Sequence, residues 1–442
     1  MKRKVHWMAI LLILLFGLCG CQPPSESGAT ATQKNQTTAG NEPTERPTEQ
    51  PTAQLPQWNY KFDQEAGDLE YRYDYEDYYI PFWKRNIIKN ECLCFVKNGE
   101  EITAKLMFQP EQILCVRDWS LKKEYKEGVD YVYDKEANVL RWIEGSSVPY
   151  FTQNWLSGKY EDGELMPAFT SYDAYPWSEL GYARMGNAIY CIGEPLYSKQ
   201  MHITYTYSQE DFQGSVNSYQ GDKLPNVMKK LMNGEALKVV FYGDSVPYGC
   251  DVSSMYNREP QQPPYPKIFC QALEDIYGSK VGYRNTAVGG TTSQWGVENL
   301  EKSVIRHKPD LAVILFGGND DPIGAAAATA KNMEKMVQQI QAELPQTDII
   351  IMGTFVGNEA GGFNTPNLKP LLTGYFNDIA SRYERVAAVD MYNLHSYLLQ
   401  NKNYIDFSGN GINHPNDFLI RIYAQQLLST VVDFDAIKAN RQ

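Results

Sequence analysis

Apolar positions follow four patterns along the 442 residues, and each pattern predicts a different kind of structure. An unbroken apolar run extends from Met8 to Leu18, and from Gln22 to about Gln57 apolar residues almost vanish. From Trp58 to about Gln209 they alternate, and from Leu237 they gather into short solid blocks separated by helical stripes. The alternation is clearest from Met201 to Tyr207, where Met201, Ile203, Tyr205 and Tyr207 fall on one face. A period of two predicts a half-buried strand, with His202 on the opposite face as a surface residue. Val129 to Trp142 reads as two strand segments around Asp134 to Asn138, a hairpin pattern. Ile113 to Val116 adds another short apolar run, and no long helical stripe interrupts the series. These features predict a β-sandwich-like domain over residues 58–215.

The later blocks are of another kind. Leu237 to Tyr242, Leu311 to Phe316, Asp348 to Met352 and Val386 to Val389 are nearly continuous apolar runs, and Tyr283 to Val288 is a shorter candidate. Solid apolar strands are expected of a parallel sheet covered on both faces. Between them, Met333, Met336, Val337 and Ile340 recur at spacings of three and four, predicting a helix over Lys331 to Leu344. The region 235–435 is therefore read as an α/β domain of about five strands, with ligands expected at the strands' carboxyl ends.

The two leading patterns lie outside any fold. Lys2, Arg3 and Lys4 precede an apolar run well short of the ~20 residues of a spanning helix, as in a signal peptide. The run ends in Leu18-Cys19-Gly20-Cys21, which resembles the bacterial lipobox. That resemblance implies a lipoprotein signal peptide over 1–21, lipidation at Cys21, and an extracytoplasmic protein lipid-anchored to a bacterial membrane or cell surface. Residues 22–57, rich in Pro, Thr and Gln, have too little apolar surface to fold and are read as a disordered tether. A net charge of −12, with no basic run, excludes nucleic acid as a partner. Six cysteines follow Cys21: Cys92, Cys94, Cys115, Cys191, Cys250 and Cys270. Their spacing lacks a Cys-x-x-Cys pair and no histidines cluster with them, so no metal is expected. Buried thiols or one or two bridges both remain open.

Candidate chemistry collects at the carboxyl ends of the solid blocks. The first block runs into Gly243-Asp244-Ser245, and the short candidate strand leads to Gly289-Gly290-Thr291. The next ends in Gly317-Gly318-Asn319-Asp320, and Asn410-Gly411-Ile412-Asn413-His414-Pro415 lies near the C-terminus. Four blocks in this order resemble the SGNH (GDSL-type) hydrolase family over about Lys238 to Leu428. The resemblance implies a flavodoxin-like three-layer α/β/α fold, Ser245 as nucleophile, His414 as base, and Gly290 and Asn319 in an oxyanion hole. The residue types suit that chemistry. A serine hydroxyl needs an adjacent base, and histidine titrates near working pH. Backbone and side-chain amides can stabilise the oxyanion that forms on attack at an ester. Each residue also has a bland reading: Asn319 as a helix cap, and His414-Pro415 as a helix start. His307 and His395 fall outside the blocks.

One position departs from the family pattern. Asp commonly stands three residues before the histidine, where this chain has Gly411. Asp406, Asp417, Asp390 or a backbone carbonyl remain open as the group that orients the imidazole. A β-domain ahead of such a hydrolase domain is similar to the two-domain acetyl esterases of carbohydrate esterase family two, which implies O-acetyl groups on carbohydrate as the substrate. Hydrolysis proceeds through water, so no cofactor is implied. Lipase- or thioesterase-type acyl hydrolysis stays open, as does a non-catalytic glycan-binding lipoprotein on a hydrolase scaffold. The cluster Tyr71, Tyr73, Tyr75, Tyr78 and Tyr79, followed by Phe82 and Trp83, is read as core or interface, with an exposed sugar platform as the alternative.

Overall fold

The carboxyl-terminal half is built on a parallel sheet of five strands: β1 (Leu237–Gly243), β2 (Val281–Asn285), β3 (Leu311–Leu315), β4 (Asp348–Met352) and β5 (Val386–Val389). The computed structural model describes residues 56, 58, 61–63, 73–174, 177–320, 325–362 and 368–440. The signal peptide 1–21 with Cys21, the tether 22–57 apart from Pro56, and Tyr71 lie outside the described residues. The strand order is 2-1-3-4-5 with every pairing parallel, the doubly wound flavodoxin-like order. Alternate residues of each strand enter two different cores. Val239, Phe241, Val313, Leu315, Ile350 and Met352 face one, with α1 (Tyr265–Tyr277) and α5 (Asp417–Val431). Val240, Tyr242, Ala312, Ile314, Ile349 and Ile351 face the other, with α2 (Ser293–Ser303), α3 (Ala325–Glu343) and α4 (Lys369–Arg382). Burial on both faces is why these strands are solidly apolar. The edge strand β2 is the exception. It spans Val281–Asn285 and leaves Gly282, Tyr283 and Arg284 exposed, so its apolar signal was displaced toward Val288.

The first half forms two larger sheets. Ile87–Leu93, Met201–Thr206, Gln112–Arg117 and Glu124–Tyr125 pair antiparallel in that order. Tyr131–Asp134, Val139–Trp142, Glu101–Lys105, Phe95–Asn98 and Tyr150–Thr152 make the second, with only the last pair parallel. The expected hairpin is the pair Tyr131–Asp134 and Val139–Trp142, turned at Asn138 with φ 51°. A separate hairpin pairs Tyr182–Met185 with Ala188–Cys191. Both sheets and the α1/α5 side of the parallel sheet share one continuous core.

That sharing corrects two sequence expectations. Met201–Thr206 is not half-buried, because every residue in it is buried. His202 is not at the surface: it is 8% exposed, and its Nδ1 lies 3.4 Å from the Asn90 carbonyl. The start of α5 covers that face, and Arg421 donates to the same carbonyl. Burial, then the Arg421 charge, pushes the His202 imidazole down to about 4. Tyr78, Tyr79, Phe82 and Trp83 are buried at this junction rather than displayed. Arg421 lies 4.0 Å from the Tyr78 ring centre, and Gln425 donates to the Tyr78 carbonyl at 2.9 Å. All six cysteines after Cys21 are free thiols. No helix among the described residues is long and apolar enough to cross a membrane.

Candidate active site

Ser245 stands at the carboxyl end of β1, between β2 and β3, where ligands bind in sheets of this order. It opens a one-turn helix, Ser245–Tyr248, capped by Asp244, whose Oδ1 accepts the Val246 amide at 3.0 Å. The loop after β2 passes beside it: a Cβ on Gly289 would lie 3.8 Å from that of Ser245. Gly290 follows with φ 76°, a left-handed conformation that suits glycine and turns the loop over the strand end. The Val288 amide donates to the Gly243 carbonyl at 2.9 Å, tying this loop to β1.

The loop after β3 is tied in the same way. Asn319 Nδ2 donates to the Thr291 carbonyl at 3.0 Å. An amide nitrogen carries two hydrogens, so this bond fixes the side chain and leaves one donor for a ligand. Asp320 accepts the Ser293 amide on both oxygens, at 3.1 and 3.0 Å, at the start of α2. Those bonds tie the loop after β3 to the start of α2. Asn319 itself starts no described helix.

His414 arrives from the loop between Asn403 and α5. Its Nδ1 lies 2.5 Å from Asp251 Oδ2, six residues beyond Ser245. The Cys250 amide next to that aspartate donates to the Ser245 carbonyl at 3.0 Å. The imidazole is thus held against the segment that carries the serine. His414 is also close enough to Asp244 for its charge to act there. Asp244 is 1% exposed. Burial pushes its carboxyl up to about 6, opposed by the Val246 amide and by His414.

The β-rich half grips the histidine loop. Gln200 Nε2 donates to the Ser408 carbonyl at 2.7 Å, and the Cys94 amide to Asp406 Oδ1 at 2.8 Å. The Cys191 amide donates to the Asn410 carbonyl at 3.0 Å. Beneath the loop Lys402, fully buried, binds Glu91 Oε1 at 2.8 Å and the carbonyls of Cys92 and Lys105 at 2.9 and 2.6 Å. Burial works against that ammonium, yet Asp406 and Glu91 outweigh it and hold it above its ordinary range.

Ser245, Gly290 and Asn319 therefore lie in neighbouring loops at the carboxyl ends of the strands, and His414 is bound to Asp251 in the segment that follows Ser245. The alternatives left open for its partner are not used. Asp406 serves the Cys94 and Asn403 amides, and Asp417 Oδ1 accepts the Ser253 amide at 2.8 Å. Asp390 is engaged by Thr373 and Asn393, and the partner of Nδ1 is a carboxylate rather than a carbonyl. His395 is buried elsewhere, its Nδ1 accepting the Val356 amide at 3.1 Å. Burial, then Lys369, pushes it down to about 3, so it is neutral. Asp251 was missed by sequence reasoning. Its signal was slight: a carboxylate in the first loop after the nucleophile, two residues past Gly249.

Residues 241–418 match the family model of the GDSL-like lipase/acylhydrolase family. No curated protein matches the chain. Among solved structures, a two-domain esterase (CEX) active on acetylated mannans, crystallised with mannopentaose, is 22% identical with a TM-score of 0.41. That match covers 51% of this chain and 56% of the other, so this chain spans just over half of its length. A catalytic mutant of an acetylxylan esterase from Geobacillus stearothermophilus is 18% identical over 43% of this chain and 92% of its own, with a TM-score of 0.35. The acetyl xylan esterase AlAXEase is 18% identical over 44% and 98%, with a TM-score of 0.34. Residues 241–418 are thus similar to the GDSL-like lipase/acylhydrolase family.

Proposed function

We propose that this chain is a serine esterase that removes acyl groups, O-acetyl on carbohydrate foremost, with Ser245 as nucleophile and His414 as base. The observation that carries the reading is the convergence of three strand-end loops on Ser245, with His414 clamped to the segment that follows it. Ser245 Oγ attacks the ester carbonyl while His414 Nε2 takes its proton. The oxyanion is met by the amides of Ser245 and Gly290 and by the free hydrogen of Asn319 Nδ2. The imidazolium then protonates the leaving sugar hydroxyl. Water repeats the sequence on the acyl-serine and releases the acid. The carbohydrate part rests on the β-rich half packed against the histidine loop and on exposed rings bordering the site. Tyr248 lies one turn from Ser245 and Tyr256 bonds Asp251; they are 50% and 39% exposed. Amphipathic rings of this kind present an apolar face to a sugar. The chain acts outside the cytoplasm, anchored through Cys21.

The test is turnover of p-nitrophenyl acetate, and acetate release from a panel of acetylated polysaccharides, by the full chain and by Ser245→Ala. The serine variant is expected to lose at least about 10⁴-fold in kcat. Equal rates for the two proteins, with glycan binding retained, would replace the enzyme reading by the binding one.

A further inference from the structure

We infer that Asp251 is the positioning carboxylate for His414, that Tyr256 holds it, and that it stands in the chain's first catalytic loop because the Tyr182–Cys191 hairpin occupies the usual place. This deepens the esterase reading and rests on it. The argument begins at Gly411. Its φ is 82°, and a Cβ there would stand 2.4 Å from the Ile189 carbonyl, a backbone atom that cannot swing aside. The hairpin is fixed on that spot by the Cys191 amide on the Asn410 carbonyl and by Ile412 packing with Ala188 and Tyr190. No side chain fits at position 411, so no carboxylate can reach the imidazole from three residues upstream.

The replacement comes from the other direction. Asp251 is 3% exposed and has φ 65°, a left-handed conformation that Asp and Asn tolerate better than most residues. Its Oδ2 takes the Nδ1 side of His414 at 2.5 Å, and its Oδ1 accepts the Tyr256 hydroxyl at 2.5 Å. Each oxygen thus has one charged or strongly polar partner, which fixes the carboxylate plane. Arg258 braces the tyrosine, with its guanidinium 4.9 Å from the Tyr256 ring centre and 3.3 Å from that of Tyr197 in the β-rich half. A carboxylate on Nδ1–H keeps the Nε2 lone pair directed at the serine and stabilises the imidazolium once it has taken the serine proton. The carboxylate gains no proton in this cycle. Asp251 and Tyr256 act only through His414.

The experiment uses the full chain, p-nitrophenyl acetate kinetics and the downfield proton spectrum, in which the His414 Nδ1–H is assigned by its loss in His414→Gln. Asp251→Asn preserves the left-handed backbone and the side-chain shape but presents an amide to the imidazole. It is expected to lower kcat about 10²–10⁴-fold with KM nearly unchanged, and to abolish the downfield resonance. Tyr256→Phe is expected to lower kcat about tenfold and to move that resonance without removing it. Asp251→Ala combined with Gly411→Asp is expected to stay as inactive as Asp251→Ala alone. Wild-type kcat and an unmoved resonance in Asp251→Asn, beside an inactive Ser245→Ala, would overturn the inference and leave the esterase reading standing. Recovery of activity by Gly411→Asp would overturn the part assigned to the hairpin. Full activity in Ser245→Ala would remove both.

Discussion

The serine side and the histidine side of the site are held by different means. Ser245, Gly290 and Asn319 are fixed by the parallel sheet itself: each lies in the loop that follows a strand, and the bonds that join these loops run between neighbouring strand ends. His414 follows no strand. Its loop is held between α5 and the β-rich half by Gln200, Cys94, Cys191 and Lys402, residues drawn from distant parts of the sequence. The contrast extends to buried charge. Lys402 is paired with Glu91 and Asp406 at the histidine side. At the serine side Asp244 forms no ion pair among the described residues and is raised by burial. One side is stabilised by local geometry, the other by long-range contacts.

The largest expected effect breaks the histidine side. Lys402→Met leaves Glu91 and Asp406 buried without their cation, and should cost about 3–5 kcal/mol of stability in urea unfolding. A loss below about 1 kcal/mol would mean the buried pair contributes little to holding the loop. Next, Asn319→Ala attacks the serine side and removes the side-chain bond from Nδ2 to the Thr291 carbonyl. It should lower kcat by about 10²–10³-fold, or about 2.7–4 kcal/mol, while the lost bond costs only about 0.5–1.5 kcal/mol of stability. Unchanged kcat would return Asn319 to a structural role in its loop. The smallest sharpens the contrast in buried charge. Because the Asp244 carboxyl is raised to about 6, the native state keeps a proton that the unfolded chain has already released. Stability should therefore fall as pH rises from about 4 to 6, by about 3 kcal/mol in all for a shift of this size. Asp244→Asn keeps the cap on the Val246 amide and should remove that fall. Parallel stability curves for the two proteins between pH 4 and 7 would contradict it.

The same contrast explains what could be read from the sequence. Strands β1, β3, β4 and β5 were legible because burial on both faces leaves an unmistakable apolar block. The blocks after β1, β2 and β3 lay where ligands bind in such a sheet, and the roles of Ser245, Gly290 and Asn319 came from the resemblance of those blocks to the SGNH family. The edge strand β2 was displaced because it is half exposed. His202 was misjudged for a tertiary reason: a period-2 strand says which residues share a face, not whether a helix from over two hundred positions later covers the other. Asp251 and the obstruction at Gly411 were illegible for the same reason. The obstruction depends on the Tyr182–Cys191 hairpin, and the carboxylate on a loop closure that spans 163 positions between the aspartate and the histidine.

The Ile189 carbonyl over Gly411 has a consequence for how such chains are sorted and recombined. A rule that demands an acid three places ahead of the histidine would reject this chain, whose position 411 has no room for one. Grafting residues 241–418 onto another partner would expose the Gly411 turn and remove Tyr197 from behind Arg258 and Tyr256. On the proposed reading, the unit that must travel together is larger than residues 241–418, because Asp251 leans through Tyr256 and Arg258 on Tyr197 of the β-rich half.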